Sequence, residues 1–370
     1  MKRLARDVKT FCCLLVVPGT ALAFDDRNIG SSYVFSAYGQ LHFAYQSFDD
    51  GPVRTENVVD VTNANSRLGF FIQPSDRGRG LSFQFETGLG FRPSQKTSQD
   101  FTPDFWDWSR RDLRQVQFIY KSNVGTFSFG QGSMPLDGAA ESDLGGTVVA
   151  AKSTIPEANG AYLFRTSAGV ISTITIGNSF DNFDGDRRFR LRYDTPEFGG
   201  FSLGLAYGEE VLSSGNDNKY YDAAIRYSEK FGAIRVIAAV GSAWENTTTS
   251  VNRVTIGSIS VMDERSGLNA SLASGLSASG SEPSYIYFKG GWNGEVFAVG
   301  TTKLVFELFR GSDYITAGAR SDMWSVGFIQ TFDSLNLETY VSYRAFSYKD
   351  NTAVSYQDAN TMMIGARWKF

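Results

Sequence analysis

The chain alternates apolar and polar residues, one for one, in blocks of about ten residues over most of its length, and no other feature constrains its fold as much. In the first block Phe35, Ala37, Gly39, Leu41, Phe43 and Tyr45 share one parity, while Ser36, Tyr38, Gln40, His42, Ala44 and Gln46 share the other. A later block sets Leu81, Phe83, Phe85, Leu89 and Phe91 against Ser82, Gln84, Glu86 and Arg92. A period of two puts successive side chains on opposite faces of a strand. No 3.6-residue apolar stripe persists for eleven residues or more, so the expected fold is all-β. The pattern yields 18 segments between 35–47 and 359–370, including 160–166, 169–178, 253–262 and 267–276.

Connection lengths alternate as well. Tight turns such as Ser122–Val124, Glu197–Gly200 and Glu229–Gly232 separate long polar loops such as Asp49–Ala64, Arg92–Arg111 and Pro135–Asn159. Short turns at one end and long loops at the other are expected of an up-and-down antiparallel barrel that spans a membrane. The run Arg187 to Tyr193 bears on which face meets water. Arg188, Arg190 and Arg192 alternate there with Phe189, Leu191 and Tyr193. Three guanidinium groups on one face could not fill a dry core without partners, whereas a wide aqueous lumen accepts them. Aromatics gather at strand ends, as in Trp324, Phe328 and Phe332 or Trp368 and Phe370, and so suit interfacial girdles.

Composition removes other function classes. The chain has one histidine, His42, and two cysteines, Cys12 and Cys13, so neither a His/Cys zinc site nor a Cys–His nucleophile pair can form. Residues 1–23 carry a basic start, the apolar stretch Phe11–Val17 and the small-residue site Ala21-Leu22-Ala23. This is the pattern of a secretory signal cleaved before Phe24. Its removal takes away four basic residues and one acidic residue, moving the formal net charge from −4 to −7. No basic excess remains to attract nucleic acid. Residues 24–370 contain no linker and read as one domain.

Several motifs then point to a family. Ser66-Arg67-Leu68-Gly69-Phe70, the stretch from Arg114 through Lys121 into Val124–Gly130, the run Arg192-Tyr193-Asp194-Thr195-Pro196-Glu197-Phe198-Gly199-Gly200-Phe201, and the ending Arg367-Trp368-Lys369-Phe370 together resemble the Gram-negative general diffusion porins. That resemblance implies a trimeric outer-membrane barrel of 16 strands with a constriction loop folded inward. It also implies passive diffusion of small hydrophilic solutes without a cofactor, and a terminal Phe370 read by the barrel-assembly machinery. The 18 segments exceed 16, and either 160–178 or 253–276 is then the hairpin outside the wall.

The resemblance also nominates residues that would set conduction. Within the loop candidate, residues 135–159, stand Asp137, Glu141, Asp143 and Glu157, with Lys152 as the single basic residue among them. Asp143-Leu144-Gly145-Gly146 is similar to the family's acidic-aromatic-Gly-Gly turn, with Leu in place of the aromatic. Wall arginines implied by motif are Arg67, Arg114 and Arg165. Arg114 shares parity with Val116, Phe118 and Tyr120, so it needs a strand end or a bulge to reach the lumen. Arg188, Arg190 and Arg192 are assigned to the lumen by alternation alone. A channel specific for anions or sugars is the nearest alternative, and the arginine ladder keeps the anion option open. The acidic loop and the charge of −7 lean instead toward weak cation preference. A non-conducting structural barrel and an enzyme built on His42 are the more distant readings.

Overall fold

The computed structural model describes residues 26–370. The expected signal segment, 1–23, lies outside the described residues. Sixteen wall strands, each antiparallel to its neighbours, follow one another around a closed barrel. They are β1 (Tyr33–Asp49), β2 (Arg54–Asp60 and Arg67–Pro74), β3 (Gly80–Gly88), β4 (Leu113–Ser122), β5 (Gly125–Ser133), β6 (Arg187–Asp194), β7 (Phe201–Glu209) and β8 (Lys219–Phe231). The second half comprises β9 (Ile234–Asn246), β10 (Val251–Asp263), β11 (Leu268–Ser277), β12 (Ser284–Phe297), β13 (Gly300–Ser312), β14 (Arg320–Phe332), β15 (Leu337–Lys349) and β16 (Ala359–Lys369). The barrel closes where β16 pairs with β1, from Gln40 opposite Lys369 to Asp49 opposite Asn360.

The alternation in the sequence becomes an inverted burial pattern. On β11, Leu268, Ala270, Leu272, Ser274 and Leu276 are exposed, while Asn269, Ser271, Ala273, Gly275 and Ser277 are buried. Apolar residues face outward and mostly polar or small residues face inward, as required of a barrel in lipid. Two-residue turns such as Gly232-Ala233, between Phe231 and Ile234, need the left-handed φ of +64° at Gly232.

One stated alternative is decided, and two expectations, the bounds of the inward loop and the loop after β1, are corrected. The strand count is 16 because residues 160–178 lie outside the wall, whereas 253–276 supplies β10 and β11. Leu163–Arg165 and Ile171–Thr175 form a separate two-stranded sheet. Segments of three and five residues are too short to cross a bilayer. The connection between β5 and β6 is therefore longer than the expected 135–159. It runs over residues 134–186 and includes α1 (Ile155–Asn159), the hairpin and α2 (Ile176–Ser179).

A second difference lies in β2, where the expected loop Asp49–Ala64 contains a strand. Arg54–Asp60 pairs with the upper half of β1, and Arg67–Pro74 pairs with its lower half. Between them a 3-10 turn, Thr62–Ala64, interrupts the strand. The break is secured by β1 and by Asp60. Gln40 Nε2 donates to the Asn65 carbonyl at 2.9 Å, His42 Nδ1 lies 3.0 Å from the Ala64 carbonyl, and the Ser66 amide donates to Asp60 at 2.8 Å.

The long connection folds into the barrel and packs against one side of it. Its Leu136, Ile155, Tyr162, Phe164, Ile176 and Phe180 share an apolar cluster with Ala224, Ala239, Ile256, Ala273, Tyr287, Phe309 and Phe346 of β8–β15. A smaller cluster joins its Val149, Ala150 and Ala158 to Val61 at the β2 break and to Ile329, Tyr340 and Met363. The core of this protein thus lies inside the barrel, between the inward segment and the wall.

Candidate functional site: the lumen beside the inward segment

The side of the lumen left open is basic. Arg67 opens the lower piece of β2, and Arg114 stands near the start of β4. Register shifts between β3 and β4 so that Glu86 faces Gln115 and Thr87 faces Leu113, leaving Arg114 as the extra residue of a bulge. This gives Arg114 the inward reach that its parity denies it. Glu86 on β3 accepts from Arg114 Nε at 2.5 Å and from the Tyr38 hydroxyl at 3.0 Å, and lies 3.5 Å from Arg67 Nε. Arg67 is also in electrostatic reach of Arg187 and Arg367.

A second group that the sequence reading missed continues this surface. Arg367 and Lys369 of β16 share Glu338 of β15, at 2.5 and 3.3 Å. Both sit on the parity opposite Trp368, which was the available signal. Lys303 of β13 donates to the Gly146 carbonyl at 2.8 Å.

The acidic residues of the inward segment behave differently, and two of them overturn the expectation of carboxylates facing arginines across an opening. Glu141 and Asp143 both bind Lys289 of β12, the latter at 3.1 Å. Lys289 is 1% exposed, and no motif singled it out. Asp143 also accepts the amides of Gly145 and Thr147, at 2.8 and 3.0 Å, so its Gly-Gly turn is wound around the carboxylate. Glu141 accepts the Ser153 amide at 2.6 Å. Burial pushes the Glu141 carboxyl up despite Lys289. Burial acts the same way on Asp143, but Lys289 and the two amides outweigh it and hold that carboxyl down.

Glu157 pairs with Lys152 at 2.6 Å, and Asp137 lies 3.7 Å from Arg187. Asp184, a residue beyond the expected loop boundary, accepts the amides of Gly138 and Ala140 at 2.9 and 3.2 Å. Burial, reinforced by Asp137, pushes it up to about 7.

Arg165 requires correction. It stands on the inner hairpin instead of the wall, and its guanidinium binds Asp50 at 2.8 Å and the Gly169 carbonyl at 2.9 Å. Arg188, Arg190 and Arg192 lie on the inward parity of β6, where they hold the base of the inward segment. Arg190 donates to the carbonyls of Gly130 and Ser133 and to Gln117, while Arg192 binds Asp194 and the carbonyls of Ser133 and Met134. Arg188 pairs with Asp186 at 3.0 Å and lies 4.1 Å over the Tyr220 ring. The neighbouring strand leaves room for them. A Cβ at Gly208 would fall 2.9 Å from that of Arg188.

His42 is fully buried between the Ala64 carbonyl and the Tyr340 hydroxyl, 2.9 Å from the latter, at the β2 break. Among the described residues no group of three or more His, Cys, Asp or Glu is gathered to hold a metal ion. Phe370 closes the barrel through two backbone hydrogen bonds with Gly39, at 2.8 and 3.0 Å. Its ring occupies the space a Cβ at Gly39 would need, 2.5 Å away.

Comparison with known proteins agrees with this architecture. The family model described as Gram-negative porin matches residues 10–370. Chitoporin from Vibrio furnissii is 26% identical over 268 residues, which is 64% of this chain and 62% of that protein. The chain thus spans less than two thirds of the length of that relative. Among solved structures, an anion-selective porin from Comamonas acidovorans superposes with a TM-score of 0.61 at 16% identity, over 91% of this chain and all of that one. The trimer form of in-vitro folded OmpT, an outer-membrane protein of Vibrio cholerae, gives 0.54 at 14% identity, over 92% and 100%. At these identities the structural likeness establishes the fold.

Proposed function

The chain belongs to the Gram-negative porin family of outer-membrane diffusion channels, and from that premise we propose that it passes small hydrophilic solutes down their gradients with a preference for anions. The observation that carries the preference is the uneven pairing of charge in the lumen. On the open side Glu86 serves both Arg67 and Arg114, and Glu338 serves both Arg367 and Lys369. Arg190 and Arg226 bond only to carbonyl and amide oxygens. On the inward segment Glu141, Asp143 and Glu157 are bound to lysines. The lean toward cations drawn from the acidic loop counted these three carboxylates in full, whereas Lys289 and Lys152 offset two of their three charges.

In a narrow aqueous path a surplus of fixed positive charge attracts anions and repels cations. A solute anion would exchange part of its hydration for Arg67 and Arg114, whose hold on it is limited by their shared carboxylate. Weak binding of this kind permits exit as well as entry.

The assembly we propose is a homotrimer in outer-membrane lipid and lipopolysaccharide. The outward faces of β1–β6 support it, since they carry a band of packed phenylalanines. Phe35 and Phe70 lie 5.3 Å apart, Phe83 and Phe118 5.2 Å, and Phe129 and Phe189 5.2 Å. We also propose that residues 1–23 are removed on export and that Phe370 is read during barrel assembly.

Reconstitution in a planar bilayer under a salt gradient tests the function. Ohmic steps in groups of three, with a reversal potential of the sign for anion flow, are expected. A cation-signed potential would overturn the selectivity. A silent bilayer from folded, heat-modifiable protein would overturn the channel.

A further inference from the structure

Six non-glycine residues among those described have a left-handed backbone: Arg77, Phe183, Glu282, Asp313, Ile315 and Asn336. Arg77 and Asn336 belong to short turns. Three of the other four converge on one contact, and the fourth lies in a loop beside it. Phe183, with φ of +55°, lies in the inward segment, while Asp313 at +63° and Ile315 at +69° flank Tyr314 in the loop between β13 and β14. Glu282 belongs to the adjoining loop between β11 and β12, where the Ser281 hydroxyl donates to the Asp313 carbonyl.

Tyr314 is 3% exposed although it sits in a loop at the barrel mouth. Its ring stacks on Phe183, with centroids 5.7 Å apart and planes 12° from parallel. Its hydroxyl donates to the Asp181 carbonyl. The Asp313 carboxylate accepts the Gly318 amide at 2.7 Å and so shapes the loop that presents the ring. Ile315, in contrast, is 44% exposed. A β-branched residue in this conformation is a genuine outlier, and the burial of its own side chain does not offset the cost. Holding it there are the loop's backbone hydrogen bonds, Asp313 amide to Ala319 carbonyl and Thr316 amide to Tyr314 carbonyl, both at 2.8 Å, together with the insertion of Tyr314. Strain of this kind persists only where the surroundings over-determine it, and it clusters at clamps and switch regions.

We propose that Tyr314 is a clasp through which the outer loop, residues 313–319, fastens the Asp181–Asp184 end of the inward segment, and that release of the clasp lets this end move into the open path and close it while the rest of the segment stays packed on the wall. The stacked ring and the hydroxyl bond favour the fastened state, and the left-handed Ile315 opposes it. This inference rests on the channel function proposed above. It assigns to an exterior loop, outside the permeation path, control over how often that path closes.

The opposed terms make the test specific. Closure rates are measured on single trimers in planar bilayers at raised voltage, with every variant first shown to be heat-modifiable. Tyr314→Ala should close most often and Tyr314→Phe, which loses only the hydroxyl bond, less often, though still more than the parent. Ile315→Asn should close less often than the parent, by about fivefold, because asparagine tolerates this conformation without the added freedom of glycine. A loop that merely packs would give no gain in the last variant. Closure in Ile315→Asn at or above the parent rate, or unchanged closure in Tyr314→Ala, overturns the clasp. A parent protein that does not conduct overturns the channel itself.

Discussion

On β1–β4 the inward residues Tyr38, Arg67, Gln84 and Arg114 are partly open to solvent, whereas on β8–β15 Ala224, Ala239, Ile256, Ala273, Tyr287 and Phe346 are buried under the inward segment. Outside the barrel the two sides follow one rule, with apolar residues toward lipid. Inside they diverge, because small and aromatic residues on the second side, joined by Ala44, Phe48 and Val59 at the upper ends of β1 and β2, accept the apolar face of residues 134–186. The rest of the first side offers guanidinium groups already shared with Glu86, which would lose hydration under such a cover without gaining partners. The wall composition therefore selects where the segment lies, and water keeps the remainder. The covered side is a protein core and the open side a charged conduit.

The largest disturbance of this division should come from Lys289. It is the buried cation between Glu141 and Asp143, close to a second pairing in which the Tyr287 hydroxyl donates to Glu307 at 2.7 Å and Arg344 lies 3.6 Å from the same residue. Removing one partner of a buried pair costs about 3–5 kcal/mol because charge is left uncompensated. Lys289→Met should unfasten residues 141–147, raise open-channel noise and shift the reversal potential toward cations. Adding Glu141→Gln and Asp143→Asn to the same chain should restore quiet, anion-preferring steps. Continued noise in the triple variant would place the effect in lost packing instead of charge.

The open side should respond more modestly. Arg67 and Arg114 share one carboxylate, so Arg114→Gln leaves Glu86 with Arg67 and no buried charge alone. Anion preference should fall while the barrel stays folded. Arg67→Gln with Arg114→Gln should carry the reversal potential further toward cations, since Glu86 then stands without a cation. Equal potentials in all three proteins would mean that the conduit runs elsewhere.

How much of this division was legible in the sequence depended on distance along the chain. Outward and inward parity were legible because lipid imposes them locally, as β11 illustrates. The hairpin at 160–178 alternates as a wall strand does, and its role is decided by length and by Phe164 and Ile174 finding a cavity to fill. Arg114 announced its bulge because its parity conflicted with its chemistry. Lys289 sat on the inward parity between Tyr287 and Gly291, yet its partner Glu141 is 148 residues away, and nothing local connects the two. The break in β2 was hidden for the same reason. His42 and Gln40 shape it from β1, and its apolar contacts come from the inward segment.

The smallest effect should come from Asp184, at the boundary between the two sides. Its carboxyl, pushed up to about 7 by burial with Asp137 adding to the rise, accepts the amides of Gly138 and Ala140, while Lys152 opposes the shift and Glu157 adds to it. A carboxyl raised in the folded protein keeps its proton there and favours the fold below its ordinary value near 3.8; that contribution is lost as the pH climbs through about 7. Between pH 6 and 8 the lumen accordingly gains a negative charge, while the amide hydrogen bonds from residues 138 and 140, which favour the ionised carboxylate, tighten. Anion preference should decline across this interval by less than the Lys289 or Arg114 substitutions produce. Asp184→Asn should flatten the profile, since an amide still accepts both backbone hydrogens and cannot ionise. A profile unchanged in that variant would place the titration at another group of the lumen and sever the pH dependence from Asp184.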